Sequence, residues 1–298
     1  MKIRHRHLSF WVLLAAAVVL AGAFCVRPVS ALRAERPHVV FAGVRSSIYG
    51  IKPFPEPAEW EKAILTMSSY YKGSTPTAVW IVGKIVNHTD CRLEFPGDAT
   101  GLAKIQFSDA DRHESYLSQF DRAGIKVFLQ VEPANADMKT LIDLVLGRYG
   151  KHPCVIGFGV DVEWHREADR PKRGVPVDDE TGRRWEAWVK AHNPAYRLFI
   201  KHWDQSWLCP TYRGDIIFVD DSQILPNMEA MVAEFDAWGE FFKPNTVLFQ
   251  IGYNSDKPWW SQLPQPARTL GQAIAAKIEQ DCGIIWVDFS LKDVLPLK

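Results

Sequence analysis

The sequence predicts a (β/α)8 barrel, and three observations carry that prediction. Eight short apolar runs recur along the chain. Amphipathic segments separate most of them. The central run, Val155-Ile-Gly-Phe-Gly-Val160, reads as a strand covered on both faces, as in a parallel sheet. An open doubly wound sheet would usually bring a glycine-rich phosphate loop, and neither GxGxxG nor GxxxxGK(S/T) occurs.

The eight runs are 38–44, 78–86, 125–131, 155–162, 197–203, 215–220, 246–252 and 283–289. Helices are expected at 57–71, 110–124, 138–149, 181–192, 227–242 and 266–281. The first has Trp60, Ile64, Met67 and Tyr71 at helical spacing, and Gly124 is a natural stop for the second. The connection 204–214 is too short for a full helix. The charged stretch 165–180 reads as an insertion over the barrel mouth, with most of its charges in water.

The 298 residues carry a formal net charge of zero, which argues against a nucleic-acid partner. Lys2, Arg4 and Arg6 precede an apolar run from Leu8 to Val26. Residues 1–34 therefore read as a signal peptide, cut after Ala31 or Ala23, or as a membrane anchor. Residues 35–298 form the barrel. The protein is expected to be secreted, periplasmic or membrane-tethered, touching a membrane only through that leader. Phe24 before Cys25 fits a lipoprotein box poorly. Asn87-His-Thr89 is a glycosylation sequon, meaningful only in a eukaryotic host. Of the remaining cysteines, Cys91 and Cys209 follow strands on one face and could bridge. The other reading is four separate thiols, Cys91, Cys154, Cys209 and Cys282.

Chemistry in such barrels sits on the loops after the strands. That rule puts Asp161, Glu163 and Trp164 on the active face, after the fourth run. At spacing i, i+2 in a strand, the two carboxylates share one side. Gly157 and Gly159 would leave room for a ligand. The same rule collects Gln130 and Glu132 from the third run, and Lys201, Trp203 and Asp204 from the fifth. Asp220 and Asp221 come from the sixth, Gln250 and Tyr253 from the seventh, and Trp286 and Asp288 from the eighth. Arg45 and Lys84 end the first two.

Glycoside hydrolysis needs a proton donor at the leaving oxygen and a second group at the oxocarbenium-like centre. A carboxyl beside another carboxylate holds its proton nearer neutral pH. Glu163 is the expected donor and Asp161 its supporting partner. Trp164, Trp203, Trp286 and the Trp259-Trp260 pair are candidate stacking surfaces for sugar rings. No spaced histidine cluster or His-x-His pair appears, so no metal or cofactor is expected.

The stretch Gly124-Ile-Lys-Val-Phe-Leu-Gln-Val, a helix, then Gly159-Val-Asp-Val-Glu163-Trp resembles the third and fourth strands of glycoside hydrolase family 18. Those chitinases carry Asp-x-x-Asp-x-Asp-x-Glu, whose last two acids match Asp161 and Glu163. The resemblance implies that Glu163 is the acid and that Asp161 helps the substrate's N-acetyl group attack. Gly283-Ile-Ile-Trp286 is similar to the family's sugar-stacking strand. The first two acids of the pattern are Ile156 and Gly159 here, and Phe218-Val-Asp-Asp221 has no tyrosine. His152-Pro-Cys-Val-Ile-Gly-Phe resembles the approach to the acid/base glutamate in clan-A glycosidases, whose strand-seven nucleophile is replaced by Gln250. Asp-Val-Glu is also similar to family-25 lysozymes. All three resemblances imply a polysaccharide or glycan substrate and put Glu163 in the acid role. The missing groups leave open a barrel that binds carbohydrate without cleaving it.

Overall fold

The structure is a computed structural model that describes residues 38–297. The leader expected at 1–34 lies outside the described residues. Among the described residues there are ten strands: β1 (Val39–Ser46), β2 (Thr75–Val86), β3 (Asp90–Leu93), β4 (Ile105–Phe107), β5 (Lys126–Val131), β6 (Val155–Asp161), β7 (Arg197–Lys201), β8 (Ile217–Asp220), β9 (Val247–Ile251) and β10 (Cys282–Val287). Eight are parallel and ring the molecule in the order β1, β2, β5, β6, β7, β8, β9, β10, with β10 pairing back onto β1. The fold is a closed (β/α)8 barrel. Among the described residues, no helix is long and apolar enough to cross a membrane.

The continuous apolar runs follow from this closure. Alternate residues fill the barrel interior, where Val79, Phe128, Phe199, Ile217, Val219, Leu248 and Ile285 form one buried cluster. The other faces bury against the surrounding helices. Gly157 and Gly159 serve this packing rather than a ligand. A Cβ on Gly159 would lie 2.0 Å from the Phe199 ring, and one on Gly157 would lie 2.1 Å from the Arg197 carbonyl.

The helices start where short polar side chains can satisfy free backbone N–H groups. The main ones are α1 (Pro57–Ser69), α2 (Glu114–Ala123), α3 (Met138–Tyr149), α4 (Asp179–His192) and α5 (Met228–Phe242), followed by α6 (Lys257–Trp260), α7 (Pro266–Ala275) and α8 (Leu291–Val294). Asp137 accepts from Thr140 N at 2.8 Å, Asp178 from Thr181 N at 2.7 Å and Asn227 from Ala230 N at 2.9 Å. Helix α1 ends at Ser69, slightly before the expected 71, and two others, α2 and α7, are clearly shorter than their periodicity predicts. Residues 110–113 stay outside α2 because Asp111 accepts the N–H groups of His113 and Glu114 and sets the first turn there. Helix α7 stops at Ala275, and Gln280 beyond it donates to the Gly239 carbonyl at 2.6 Å.

The short extension β3–β4, in which β3 turns back antiparallel to β2 and β4 runs parallel to β3, was not predicted, since three- and four-residue strands give no periodic signal. It places Cys91 on β3 rather than in a loop. Cys91, Cys154, Cys209 and Cys282 are separate buried thiols, so the Cys91–Cys209 bridge is not formed. At the start of β6, His152 Nδ1 lies 2.6 Å from Asp121, which also accepts the Cys154 N–H at 2.8 Å. The His-Pro-Cys segment thus pins β6 to α2 at the end of the barrel away from the mouth.

Candidate functional site

The carboxyl ends of the strands assemble a polar mouth. Strand β6 ends at Asp161, whose side chain is buried in the throat. The chain then makes one tight turn, Val162–Trp164, so Glu163 leaves the strand and does not follow the i, i+2 geometry expected of it. Asp161 meets Lys201 and Gln130, whereas Glu163 opens onto a cleft. Glu163 remains close enough for its charge to raise the pKa of Asp161.

Lys201, at the end of β7, has its Nζ 2.9 Å from Asp161 Oδ2 and also pairs with Asp221 Oδ2. Burial opposes the lysine's charge, but Asp161 and Asp221 outweigh it and hold the ammonium well above its usual range. Lys201 is therefore a fixed cation. Gln130 Nε2 lies 3.4 Å from Asp161. The Tyr253 hydroxyl lies 3.4 Å from Asp221 and 3.3 Å from Gln250 Oε1, and can donate to one of them at a time.

Several buried polar atoms at this floor have no partner in the protein. Gln130 Oε1, Asp161 Oδ1 and Asp221 Oδ1 are acceptors; Arg45 Nε and Gln250 Nε2 are donors. Native interiors leave few such atoms unpaired, and they concentrate where a ligand or water is bound. Their mixture of donors and acceptors suits hydroxyl groups, which do both.

Burial is the largest influence on Glu163 and pushes its carboxyl up to about 7. Lys201 opposes the shift, while the charges of Asp221 and Glu132 reinforce it. The sequence argument credited the neighbouring acid; burial is the larger cause. Asp161 is raised as well, first by burial. Glu132 accepts from Tyr49 OH at 2.8 Å and from Ile85 N at 3.1 Å, yet burial still raises it.

Glu163, Trp203, Asp204, Ser222, Gln223 and Ile224 line a cleft of about 660 Å³. Trp203 is 38% exposed there, with the Arg173 guanidinium 4.7 Å from its ring centre. Arg173 also pairs with Asp204 at 2.6 Å, so the 165–180 insertion is tied to the rim. Most of its other charges are exposed, while Glu167 is buried.

Other expected residues stand elsewhere. Trp286 is 1% exposed: its Nε1 donates to Ser290 Oγ at 3.0 Å, and its ring packs edge-on to Trp260 at 5.2 Å. Gly252, at φ 92, lies so close that a Cβ would come within 2.3 Å of that ring. Trp286 is a core residue and offers no stacking face. Trp260 is likewise buried, and Trp259 donates to the Leu225 carbonyl at 2.8 Å. Asp288 is buried too, accepting from Ser47 N at 2.9 Å and facing Arg45 at 3.7 Å, so it holds the rim rather than a ligand. Asp220 is buried and accepts from Ser222 N at 2.7 Å; burial pushes its carboxyl well up. Trp164 is half-buried at the end of the tight turn.

Sequence reasoning missed Tyr49, Ser47 and Ile224. All lie in loops after strands, without periodicity. Tyr49 and Ser47 directly follow the first strand, and extending the strand-end rule by a few residues would have collected them.

No known protein family matches the chain, and no curated protein matches it by sequence. Among solved structures, a candidate alpha-L-fucosidase of Bacteroides thetaiotaomicron is similar at TM-score 0.46 and 12% identity, covering 86% of this chain and 90% of that one. An intracellular xylanase of Thermoanaerobacterium saccharolyticum gives 0.39 and 10% over 86% and 90%. A beta-D-glucuronidase of Dictyoglomus thermophilum gives 0.39 and 14%, covering 58% of this chain and 36% of that one. These are likenesses of chain trace at low identity.

Proposed function

We propose that this protein hydrolyses a glycosidic bond in a polysaccharide or glycan, with Glu163 as general acid and Asp161 as its supporting carboxylate. One observation carries the reading: Glu163 opens from a half-buried position onto the cleft, beside a throat of acids and unpartnered polar atoms. Burial keeps its proton near neutral pH, where it can be given to the leaving oxygen. Lys201 sits against Asp161 and opposes the burial that raises its carboxyl; the two acids titrate together, and Glu163 is assigned as donor because it is the one that opens onto the cleft. The basic and apolar leader supports a location outside the cytoplasm, secreted or tethered.

A second reading, a barrel that binds glycan without cleaving it, is favoured by two features. Asp161 is already tied to Lys201, and β9 presents Gln250 rather than an acid. One experiment separates the readings: Glu163→Gln and wild type are assayed on chitin, peptidoglycan and neutral glycans. Cleavage by wild type alone supports the acid role. Equal rates remove Glu163 from the mechanism. Binding by both with cleavage by neither selects the binding protein.

A further inference from the structure

Ile224 is 80% exposed, more than any other large apolar side chain among the described residues. It also has φ 66, a left-handed conformation that is rare and disfavoured for a β-branched side chain. Its neighbours impose this shape. Ser222 Oγ donates to the Trp203 carbonyl at 3.2 Å, Leu225 N donates to Asp256 at 2.8 Å, and Trp259 Nε1 donates to the Leu225 carbonyl at 2.8 Å. The loop is thus fastened on both sides of Ile224, which stays in solvent, so core packing does not account for its conformation.

Ile224 lines the same cleft as Glu163 and the exposed Trp203. Asp204, Ser222 and Gln223 line the cleft as well and add hydrogen-bonding groups to these apolar walls. A plain aryl or alkyl group would use the walls and leave the polar groups idle. A pyranose ring, with a C–H face and a rim of hydroxyls, uses both. A general acid stands beside the oxygen it protonates, and Asp161, its partner at the anomeric carbon, does not line this cleft, so the group held here is the departing one.

We infer that this cleft is the leaving-group subsite and that it takes a sugar ring gripped between Trp203 and Ile224. The substrate is then a chain cut between two sugars, not a sugar carrying a small aglycone. This rests on the glycosidase reading above and names the substrate class for the same site.

The test uses the full chain carrying Glu163→Gln and measures binding calorimetrically with cello- and chito-oligosaccharides of one to six units. Trp203→Ala is expected to weaken binding of chains of two or more units by about tenfold or more, with monosaccharide binding unchanged. Ile224→Gly and Ile224→Asn should act in the same direction. Both relieve the backbone, so neither should unfold earlier than its parent. Equal weakening of monosaccharide and chain, no weakening of either, or no binding by any member of both ladders overturns the inference. Cleavage by Glu163→Gln at the wild-type rate would instead remove the acid assignment, and the length dependence would still decide the cleft.

Discussion

Lys201 holds its ammonium 2.9 Å from the Asp161 carboxylate at the floor of the mouth, and the same ammonium pairs with Asp221. All three side chains are buried. Removing one partner of such a buried ion cluster strands the opposite charges. Lys201→Met is therefore expected to destabilise the fold by about 3–5 kcal/mol in denaturant titration. Adding Asp161→Asn should recover part of that loss, because one stranded charge is gone. A single-variant cost as small as that of a surface pair, below about 1 kcal/mol, would show that the cluster is not a charged one.

The raised pKa of Glu163 makes a prediction for both rate and stability. Hydrolysis by wild type should fall as pH rises through about 7, where Glu163 loses its proton. The folded protein keeps that proton until about 7, whereas the unfolded chain releases it near the ordinary value of 4.5. Across this window the folded state binds more protons, so this group's contribution to stability is present below 4.5 and is lost as pH rises towards 7. Unfolding measured between these limits should show that slope in wild type and a shallower one in Glu163→Gln. An identical slope in both would mean that Glu163 titrates normally.

The two tryptophans at the ends of β7 and β10 should behave oppositely. Trp286→Ala removes a buried ring and should cost about 3–5 kcal/mol of stability. Trp203→Ala, at an exposed rim, should change stability by only about 0.5 kcal/mol while weakening ligand binding. Thermal unfolding of both variants checks the pair. A stability loss at Trp203 matching that at Trp286 would place Trp203 in the core.

Gly159→Ala tests whether the glycines of β6 serve packing. The added methyl would overlap the Phe199 ring in the barrel interior and should destabilise by about 1–3 kcal/mol. An unchanged midpoint in denaturant would mean that the interior has slack beside Phe199, as the ligand-space reading supposed.

The eight barrel strands were legible because each is buried on both faces, which writes a continuous apolar run into the sequence. Gly124 marked the end of α2, and Asp137, Asp178 and Asn227 sit at helix starts for a local hydrogen-bonding reason. The β3–β4 extension escaped notice because its strands are only four and three residues long, too short to show a period. The strand-end rule collected Asp161, Glu163, Lys201, Asp221 and Tyr253, yet it collected Trp286 and Asp288 equally readily. It reports which end of a strand a residue occupies, not whether the side chain meets solvent.

The sequence by itself determined the barrel, the order of its strands and the end at which polar side chains gather. These depend on local periodicity and on the closure of a parallel sheet. Only the tertiary structure decided what each gathered residue does. It turned Glu163 out of the strand into the cleft, set Lys201 between Asp161 and Asp221, buried Trp286 beneath Gly252 and exposed Ile224 in a strained loop. Those outcomes depend on contacts between strands far apart in sequence, and local patterning carries no information about them.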